Sequence, residues 1–456
     1  MKNNRRIYLF LTSLVLGIFI YYSINYFTEN RKESTGILVY FFILNLIFWG
    51  FILTKIIRSK AEKKWMKLCL IPISTILFFM FLVGVDKLFG LIVNNPSSPF
   101  FSGIIFPPNI EMPYQTTEFS FHAKINSLGI RGNNLNPKKD TSIRIVVVGD
   151  SFTFGWGVDF ENNYGSLVQK KLNQKNIQVE VVNLGQPGGF TLHYWKNLER
   201  GISFLNPDLV IIGLLQGNDL RQMIRYNKQN ESMNAIKLFI KKVLIANFGN
   251  IKSFYTLQTN LDVSDNDIIK NVWKKEANDL YRKLTPNQLS VFNNFEPELR
   301  ELILEGKVSS YLMSLVFESQ KEYLDNNNPA LETTQAAIED IVFDLTRIKK
   351  LCSDFDSKLL LINIPYPDFF SKEAVVYKDM NYLKTYDLIT KNKVDSIYQS
   401  IADRVNVPIF HFTNLFKNQP DNHKLFYPYD GHYNVLGHEL LSDSLSQIIK
   451  QHLLED

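Results

Sequence analysis

Short apolar runs alternate with amphipathic segments from the middle of this chain to its C-terminal part. Runs of this length predict buried strands, and apolar positions spaced three and four residues apart predict helices. The predicted strands are 143–148, 177–182, 208–215, 358–363 and 407–410. The predicted helices lie near 162–172, 191–204, 334–351, 381–404 and 435–453. This alternation predicts an α/β fold with a doubly wound parallel sheet that helices cover on both faces.

Three longer apolar runs precede this region, at residues 7–27, 34–54 and 68–85, and none of them contains a charged residue. Each is long enough to cross a hydrocarbon core of about 30 Å, the third only just. They predict a membrane anchor with three transmembrane helices over residues 1–93. The alternative for 68–85 is a buried helix of a soluble domain, which would leave the rest of the chain in the cytoplasm.

Basic residues precede the first apolar run and fill the segment between the second and the third. By the positive-inside rule, three spans place everything after the third run outside the cytoplasm. We therefore expect a multi-pass protein of the cytoplasmic membrane with its main domain on the extracytoplasmic side. Residues 1–67 hold 11 Lys and Arg against 3 Asp and Glu, whereas the whole chain has a net charge of +5. Because the basic balance comes from these topology signals, no nucleic-acid partner is expected.

The main domain is divided by a long segment that breaks the strand–helix alternation. Residues 94–142 are predicted to be a linker and approach strands, and 143–219 the first part of the domain. Residues 220–333 are too long for an unstructured loop and predict a helical insertion, in which Thr285-Pro-Asn-Gln288 is typical of a capped helix start. Residues 334–456 form the second part. The insertion can cap the site, pack against the side of the domain or lie on the membrane, and all three remain open.

Four short polar blocks fall where predicted strands end or helices begin. A serine on a tight strand-to-helix turn is held out of the core among backbone N–H groups, which suits a nucleophile that needs an oxyanion site. Taken singly, each block also has a structural explanation, as a turn or a helix cap. In chain order the blocks are Gly149-Asp150-Ser151, Asn183 to Gly188, Gln216 to Asp219, and Asp430-Gly431-His432.

This ordered set resembles the SGNH/GDSL hydrolase family, over about residues 143–219 and 334–453. The resemblance implies a flavodoxin-like fold in a membrane-anchored member of that family. It assigns Ser151 as the nucleophile, His432 as the general base and Asp430 as the acid that orients His432.

The same resemblance assigns the oxyanion hole to the backbone N–H groups of Ser151 and Gly188 and to the side-chain amide of Asn218. Such donors stabilise the negative oxygen of a tetrahedral intermediate during acyl transfer. No spacing typical of metal ligands and no glycine-rich phosphate loop occurs in the sequence, so neither a metal nor a cofactor is expected. His438, on the terminal helix, is expected to be structural.

One spacing departs from the common family pattern. The family usually has Asp-x-x-His, whereas Asp430-Gly431-His432 is one residue shorter, as in relatives linked to polysaccharide acetylation. A Ser–His dyad with another acid, or with none, therefore stays open beside the triad.

The expected function is that of a serine esterase or acyltransferase. It acts on O-acyl groups, foremost O-acetyl groups, of an extracytoplasmic glycan through an acyl-serine intermediate. A transferase would need a separate acyl-donor membrane protein, because three spans are too few for that task. Two alternatives are a non-catalytic envelope protein that uses the fold as a binding module, and a lipase or thioesterase at the membrane face.

Overall fold

The computed structural model describes residues 81–135, 142–232, 249–250, 253, 267–310, 313, 328–371 and 393–454. The chain forms two compact units, Met1–Ser102 with Asn230–Asp262, and Gly103–Gln229 with Val263–Asp456. The predicted spans 7–27 and 34–54, and most of 68–85, lie outside the described residues. Within the described part of the chain, no helix combines the length and the apolar character that crossing a membrane requires.

In the first unit, the described residues include a helix over 81–93. The side-chain amide of Asn250 donates to Asp86 Oδ2 at 2.9 Å and accepts from the amide of Asn94 at 3.0 Å. These two bonds tie the helix and the turn after it to residue 250.

The second unit is built on a five-stranded parallel sheet, as the alternation predicts. Its strand order is β4-β3-β5-β6-β7. The chain first places β4 on one side of β3 and then crosses over to place β5 and the later strands on the other side. A separate antiparallel hairpin, β1 with β2, precedes it. The strands are β1 (Glu111–Gln115), β2 (Ser120–Lys124), β3 (Ile143–Gly149), β4 (Val179–Gly185), β5 (Leu209–Leu215), β6 (Lys358–Ile364) and β7 (Ile409–His411).

Helices connect the strands and extend the domain. The helices are α1 (Ser151–Phe154), α2 (Tyr164–Asn173), α3 (Thr191–Leu205), α4 (Asp219–Glu231), α5 (Asp267–Tyr281), α6 (Pro286–Asn293), α7 (Pro297–Leu304), α8 (Glu332–Asp354), α9 (Val394–Val405), α10 (Thr413–Lys417) and α11 (Val435–Leu454).

The core lies on both faces of the sheet. Ile145 and Val147 of β3 belong to one buried cluster with Val168 of α2 and Leu445 of α11. Side chains alternate along a strand, so Val146 points to the opposite face, and it is fully buried as well. Helices α3 and α8 pack against each other, as do α8 and α9. Burial on both faces of β3 explains why its residues Ile145 to Val148 are all apolar.

Strand β4 ends three residues later than its apolar run predicts. Its pairing with β3 continues from Asn183 to Gly185, which lies opposite Gly149. Asn183 is buried there because its amide donates to Thr153 O at 2.7 Å and its carbonyl accepts from Gly185 N at 2.8 Å. A polar residue with both groups satisfied can therefore extend a buried strand.

The described part of the predicted insertion is helical. Helix α6 starts with the predicted capping box, in which Thr285 and Gln288 bond each other's backbone N–H groups. Helices α5, α6 and α7 bury a small core of their own around Ala277, Phe292 and Ile303. Residues 236 to 244 of the insertion, which carry apolar residues at helical spacing in the sequence, lie outside the described residues.

Candidate active site

The nucleophile candidate Ser151 is the first residue of α1, directly after β3. The Asp150 side chain caps this short helix by accepting from Phe152 N at 3.0 Å. The helix packs so closely on the strand ends that a Cβ on Gly149 would lie 2.0 Å from Thr153 Oγ1, and one on Gly185 would lie 2.1 Å from Phe154 N. Glycine is therefore required at these strand ends for the serine turn to seat there.

Ser151, His432 and Asp430 come together in one chain of hydrogen bonds, although the serine and the histidine are far apart in the sequence. His432 Nε2 lies 2.7 Å from Ser151 Oγ, and His432 Nδ1 is hydrogen-bonded to Asp430 Oδ1. The histidine side chain is 20% exposed and the aspartate side chain 8%. The base therefore stays open to a substrate while its acid is shielded. This is the arrangement of a Ser–His–Asp catalytic triad.

The short Asp-x-His spacing is accommodated by the backbone. Gly431 has a φ of +81°, in the left-handed region that glycine adopts without strain. Gly431 N donates to Tyr427 O and Tyr427 N donates to His432 O, both at 2.9 Å. The resulting tight turn lets two side chains two residues apart face each other. The structure thus supplies an acid partner for His432 despite the departure from the common spacing.

Two groups that the sequence analysis did not single out hold the acid in place. Trp156 Nε1 donates to Asp430 Oδ2 at 3.3 Å. Glu118, in the turn between β1 and β2, accepts from Tyr429 N and Asp430 N, each at 2.8 Å. No motif marks either residue, because their roles follow from contacts between distant parts of the chain.

The two predicted oxyanion donors outside α1 lie on neighbouring turns, after β4 and after β5. The Asn218 amide donates to Asp150 Oδ2 at 2.9 Å and to Gly189 O at 3.1 Å. Gly188 has a φ of +72°, and apart from its two chain neighbours no atom lies within 4 Å of where its Cβ would stand. The Asn218 amide thus links the two turns, and it would have to share or exchange one of these acceptors to bind an oxyanion.

A buried carboxylate lies behind this amide. Burial raises the pKa of Asp150 to about 6, although the N–H of Phe152, His432 and the Asn218 amide all favour its charged form. Asp219, which accepts from Leu215 N at 2.6 Å, is also fully buried. Burial raises its pKa well above the ordinary value, with a further increase from Asp150. The turn after β5 therefore rests on two neighbouring buried carboxyl groups, and each disfavours ionisation of the other.

His438 lies in the interior, as a structural histidine would. Its Nδ1 accepts from Tyr164 N at 3.3 Å, and the residue is 1% exposed. Burial lowers the pKa of its imidazole to about 3. The ring is neutral at ordinary pH and is one of the groups that hold α11 against α2.

The described part of the insertion reaches the acid side of the site. Trp273 of α5 lies 6.4 Å from the Trp156 ring, and the Trp156 ring lies 6.2 Å from that of His432, between ring centroids. Tyr366 and Tyr429 pack against the small core of helices α5 to α7. Both tryptophans are half-buried. The insertion therefore places an aromatic side chain near the loop that carries Asp430 and His432.

No protein-family model and no curated protein sequence matches this chain. Among solved structures, the chain is similar to the lipase/acylhydrolase from Enterococcus faecalis, with 13% identity over 68% of this chain and 96% of that chain, at a TM-score of 0.31. It is similar to the acetyl xylan esterase AlAXEase, with 14% identity over 67% and 100% of the two chains, at a TM-score of 0.33. It is also similar to AlinE4, an SGNH-hydrolase family esterase, with 15% identity over 69% and 99%, at a TM-score of 0.27.

Proposed function

We propose that this protein is a serine esterase or acyltransferase of the SGNH type, which removes O-acyl groups through an acyl-serine intermediate. The observation that carries the proposal is the hydrogen-bonded chain from Ser151 Oγ through His432 to Asp430. The three side chains have the relative positions that a nucleophile, a base and an orienting acid need. The proposal therefore needs no Ser–His dyad with another acid or with none.

The chemistry follows from these positions. His432 Nε2 takes the proton of Ser151 Oγ as that oxygen attacks the ester carbonyl, and Asp430 stabilises the charged imidazole. The carbon–oxygen bond to the alcohol then breaks, and the imidazolium protonates the departing alkoxide. In the second half, water or a sugar hydroxyl gives its proton to His432 and attacks the acyl carbon. The bond from that carbon to Ser151 Oγ then breaks, and the imidazolium returns the proton to Oγ.

The negative oxygen of both tetrahedral intermediates needs preorganised donors. The backbone N–H groups of Ser151 and Gly188 and the Asn218 amide are the donors we propose. The bond from Asn218 to Asp150 orients the amide before substrate binds, and the amide then shares or exchanges one of its two acceptors as the oxyanion forms.

We further propose that the substrate is a short O-acyl ester, foremost an O-acetyl ester, of a glycan. The half-buried Trp156 ring beside His432, with the Trp273 ring next to it, suits contact with the apolar face of a sugar ring. The short Asp-x-His spacing supports the same substrate class through the family resemblance. In a transferase, a separate membrane protein would supply the acyl group.

We propose that residues 1–93 anchor the protein in the cytoplasmic membrane with the catalytic domain on the extracytoplasmic side. The apolar runs and the charges around them support this topology. A reporter that is active only outside the cytoplasm, fused after Asp456, is expected to be active. An inactive fusion, together with an active cytoplasmic reporter at the same position, would place the domain inside the cell.

The activity itself is tested with a fluorophosphonate probe, which labels an activated serine. Wild-type protein is expected to be labelled at Ser151, and the folded Ser151→Ala variant is not. Esters of increasing acyl length then separate the substrate classes. Turnover highest on acetyl esters supports the proposal, turnover that grows with chain length supports a lipase or thioesterase, and folded wild-type protein without labelling supports a binding module.

A further inference from the structure

The turn between β1 and β2 reaches across to the catalytic loop, Tyr427 to Tyr433. Glu118 in this turn uses both carboxyl oxygens: Oε1 accepts from Tyr429 N and Oε2 from Asp430 N, each at 2.8 Å. One side chain thus holds two consecutive peptide groups immediately before the Asp430–His432 pair. Hydrogen bonds of this kind to a charged acceptor are stronger than neutral ones.

The turn that carries Glu118 is itself fixed from two sides. Thr116 Oγ1 accepts from Glu118 N at 3.1 Å and from Phe119 N at 3.2 Å. The N–H of Thr117 donates to Lys307 O, just after α7, at 3.3 Å. The backbone of Glu118 is therefore held by its own turn and by the insertion, so its carboxylate acts as a fixed support.

The catalytic loop has a specific need for such a support. With only Gly431 between them, Asp430 and His432 share one tight turn, and rotation of the peptide group before Asp430 would swing its carboxylate away from His432 Nδ1. Glycine itself adds freedom at this point. The bonds from Glu118 restrict that rotation, because they fix the N–H of the Tyr429–Asp430 peptide group and the N–H of the peptide group before it.

We propose that Glu118, as a carboxylate, is a positioning residue for the catalytic acid, and that its protonation releases Asp430 and lowers activity. The role in catalysis rests on the proposed function, whereas the restraint on the loop does not. Glu118 touches neither the nucleophile nor the base in the described structure, so its effect passes through the backbone of Asp430.

The surroundings of Glu118 allow it to change charge near neutral pH. Burial raises the pKa of Glu118 to about 7; the two backbone N–H groups and His432 favour its charged form, and Asp430 disfavours it. Two other ionisable groups near the turn of Glu118, Tyr427 and Lys307, keep a constant charge near neutral pH. Burial raises the pKa of Tyr427 to about 12, so it is neutral, and the ammonium of Lys307 pairs with Glu305 at 2.5 Å. A protonated carboxyl is a weaker acceptor at one oxygen. The two hydrogen bonds from Tyr429 N and Asp430 N to Glu118 are therefore weakened when the pH falls below the pKa of Glu118.

The first test compares Glu118→Gln with wild type across pH. Glutamine has the same shape but presents an NH₂ group where one oxygen accepts. At pH 8 we expect kcat to fall about 10- to 100-fold with KM little changed, as for the loss of a hydrogen bond to a charged group. Near pH 5.5 the two proteins should converge, because the wild-type carboxyl is then also uncharged. Glu111→Gln, at the exposed start of the same hairpin, is the matched control and should match wild type throughout.

The second test does not depend on turnover. Hydrogen–deuterium exchange of the catalytic-loop peptide is measured in wild-type protein at pH 8 and pH 6, corrected for the intrinsic exchange rate. We expect the protection of the backbone amides of Tyr429 and Asp430 to fall about tenfold at the lower pH. In Glu118→Gln their protection should be low at both pH values, and in Glu111→Gln it should follow wild type.

The outcomes separate the two proposals. The positioning role is overturned if the ratio of wild-type to Glu118→Gln activity is the same at every pH. It is also overturned if the exchange protection of the loop responds neither to pH nor to the substitution. Absence of Ser151 labelling in wild type, with loop protection that still depends on Glu118, overturns the proposed function and leaves the restraint intact. The wild-type exchange measurement needs no variant, so it decides the restraint even where Glu118→Gln does not fold.

Discussion

The indole N–H of Trp156 donates to Asp430 Oδ2 over 3.3 Å, so the segment that follows the nucleophile also holds the acid. This segment is itself clamped by Arg131, which is 1% exposed and lies over the Phe154 ring at 4.6 Å. The guanidinium donates to three carbonyl oxygens at 2.5–2.6 Å, those of Phe154, Gly155 and Val158. Nucleophile and acid are therefore positioned by one structural element.

Trp156→Phe should lower kcat about 3- to 10-fold and leave KM nearly unchanged, because it removes one hydrogen bond to Asp430 and keeps most of the aromatic packing. Steady-state kinetics on a short acyl ester measures this. Trp195→Phe is the control, since the Trp195 ring packs under Arg347, at 3.1 Å. A large rise in KM with unchanged kcat would instead show that the indole N–H does not position Asp430 and that the ring acts only in substrate binding.

Ser151→Ala and His432→Ala should each lower kcat by about 1,000-fold or more while the fold is kept. The two residues share one hydrogen bond and act in one step, so the double variant should be little worse than either single one. Turnover of all three variants, with circular dichroism as the check on folding, tests this. Losses that multiply would show that the two residues act independently.

Asp430→Asn should lower kcat about 10- to 1,000-fold. The amide cannot stabilise the charged imidazole, and it offers His432 Nδ1 a weaker acceptor or a donor. In the serine protease that serves as the general example, the equivalent change costs about 10⁴-fold. Turnover is measured against pH, and near-wild-type activity over the whole range would leave a Ser–His dyad as the working site.

Asn218→Ala should lower kcat about 100-fold through the loss of an oxyanion donor. It also leaves Asp150 Oδ2 without its amide partner, so thermal stability is measured beside kcat. Loss of stability with unchanged kcat in the folded fraction would show that Asn218 supports Asp150 and is not an oxyanion donor.

Asp344 predicts a dependence of stability on pH that is separate from the site. Burial raises its pKa to about 6, above the value of 3.8 for an unperturbed group, although Thr191 and Arg347 favour the charged form. The stability that this carboxyl contributes is complete below about pH 4 and is lost as the pH rises through about 6. The free energy of unfolding of Asp344→Asn should therefore rise relative to wild type by about 1–2 kcal/mol between pH 4 and pH 8.

Urea unfolding at both pH values measures this difference. Asp354→Asn, at the exposed end of the same helix, is the control for removing a surface carboxylate. A difference between wild type and Asp344→Asn that does not change with pH would show that folding does not raise the pKa of Asp344.

The sheet and the site residues at the strand ends were predictable because local sequence determines them. A buried parallel strand is a run of apolar residues, and Ser151 and Asn218 follow such runs directly. The end of β4 was misplaced because burial of Asn183 depends on bonds to Thr153 and Gly185, and no apolar pattern shows those.

The support of the acid was not predictable for a different reason. Glu118 stands in a segment that was interpreted as a linker with approach strands, and it contacts a loop more than 300 residues away. Arg131 lies in the glycine-containing stretch Asn126 to Gly132, and its two glycines predict only a turn. A turn is what the structure has there, and its arginine is buried against the serine loop. Such roles arise only when the folded chain brings the segments together.

Strands β5 and β6 are paired from Leu209 with Lys358 to Leu215 with Ile364, without a break in register, although the whole insertion lies between them in the sequence. Lengthening a loop that leaves and re-enters a sheet in this way costs little free energy, about 0.6 kcal/mol for each doubling of its length. The length of the insertion can therefore change over evolutionary time at little cost to the sheet. Its contacts are more constrained, because the carbonyl oxygen of Lys307, just after α7, accepts from Thr117 N and so helps to fix the turn that carries Glu118. Selection is thus expected to tolerate variation in the length of the insertion and to preserve the short segment that supports this turn.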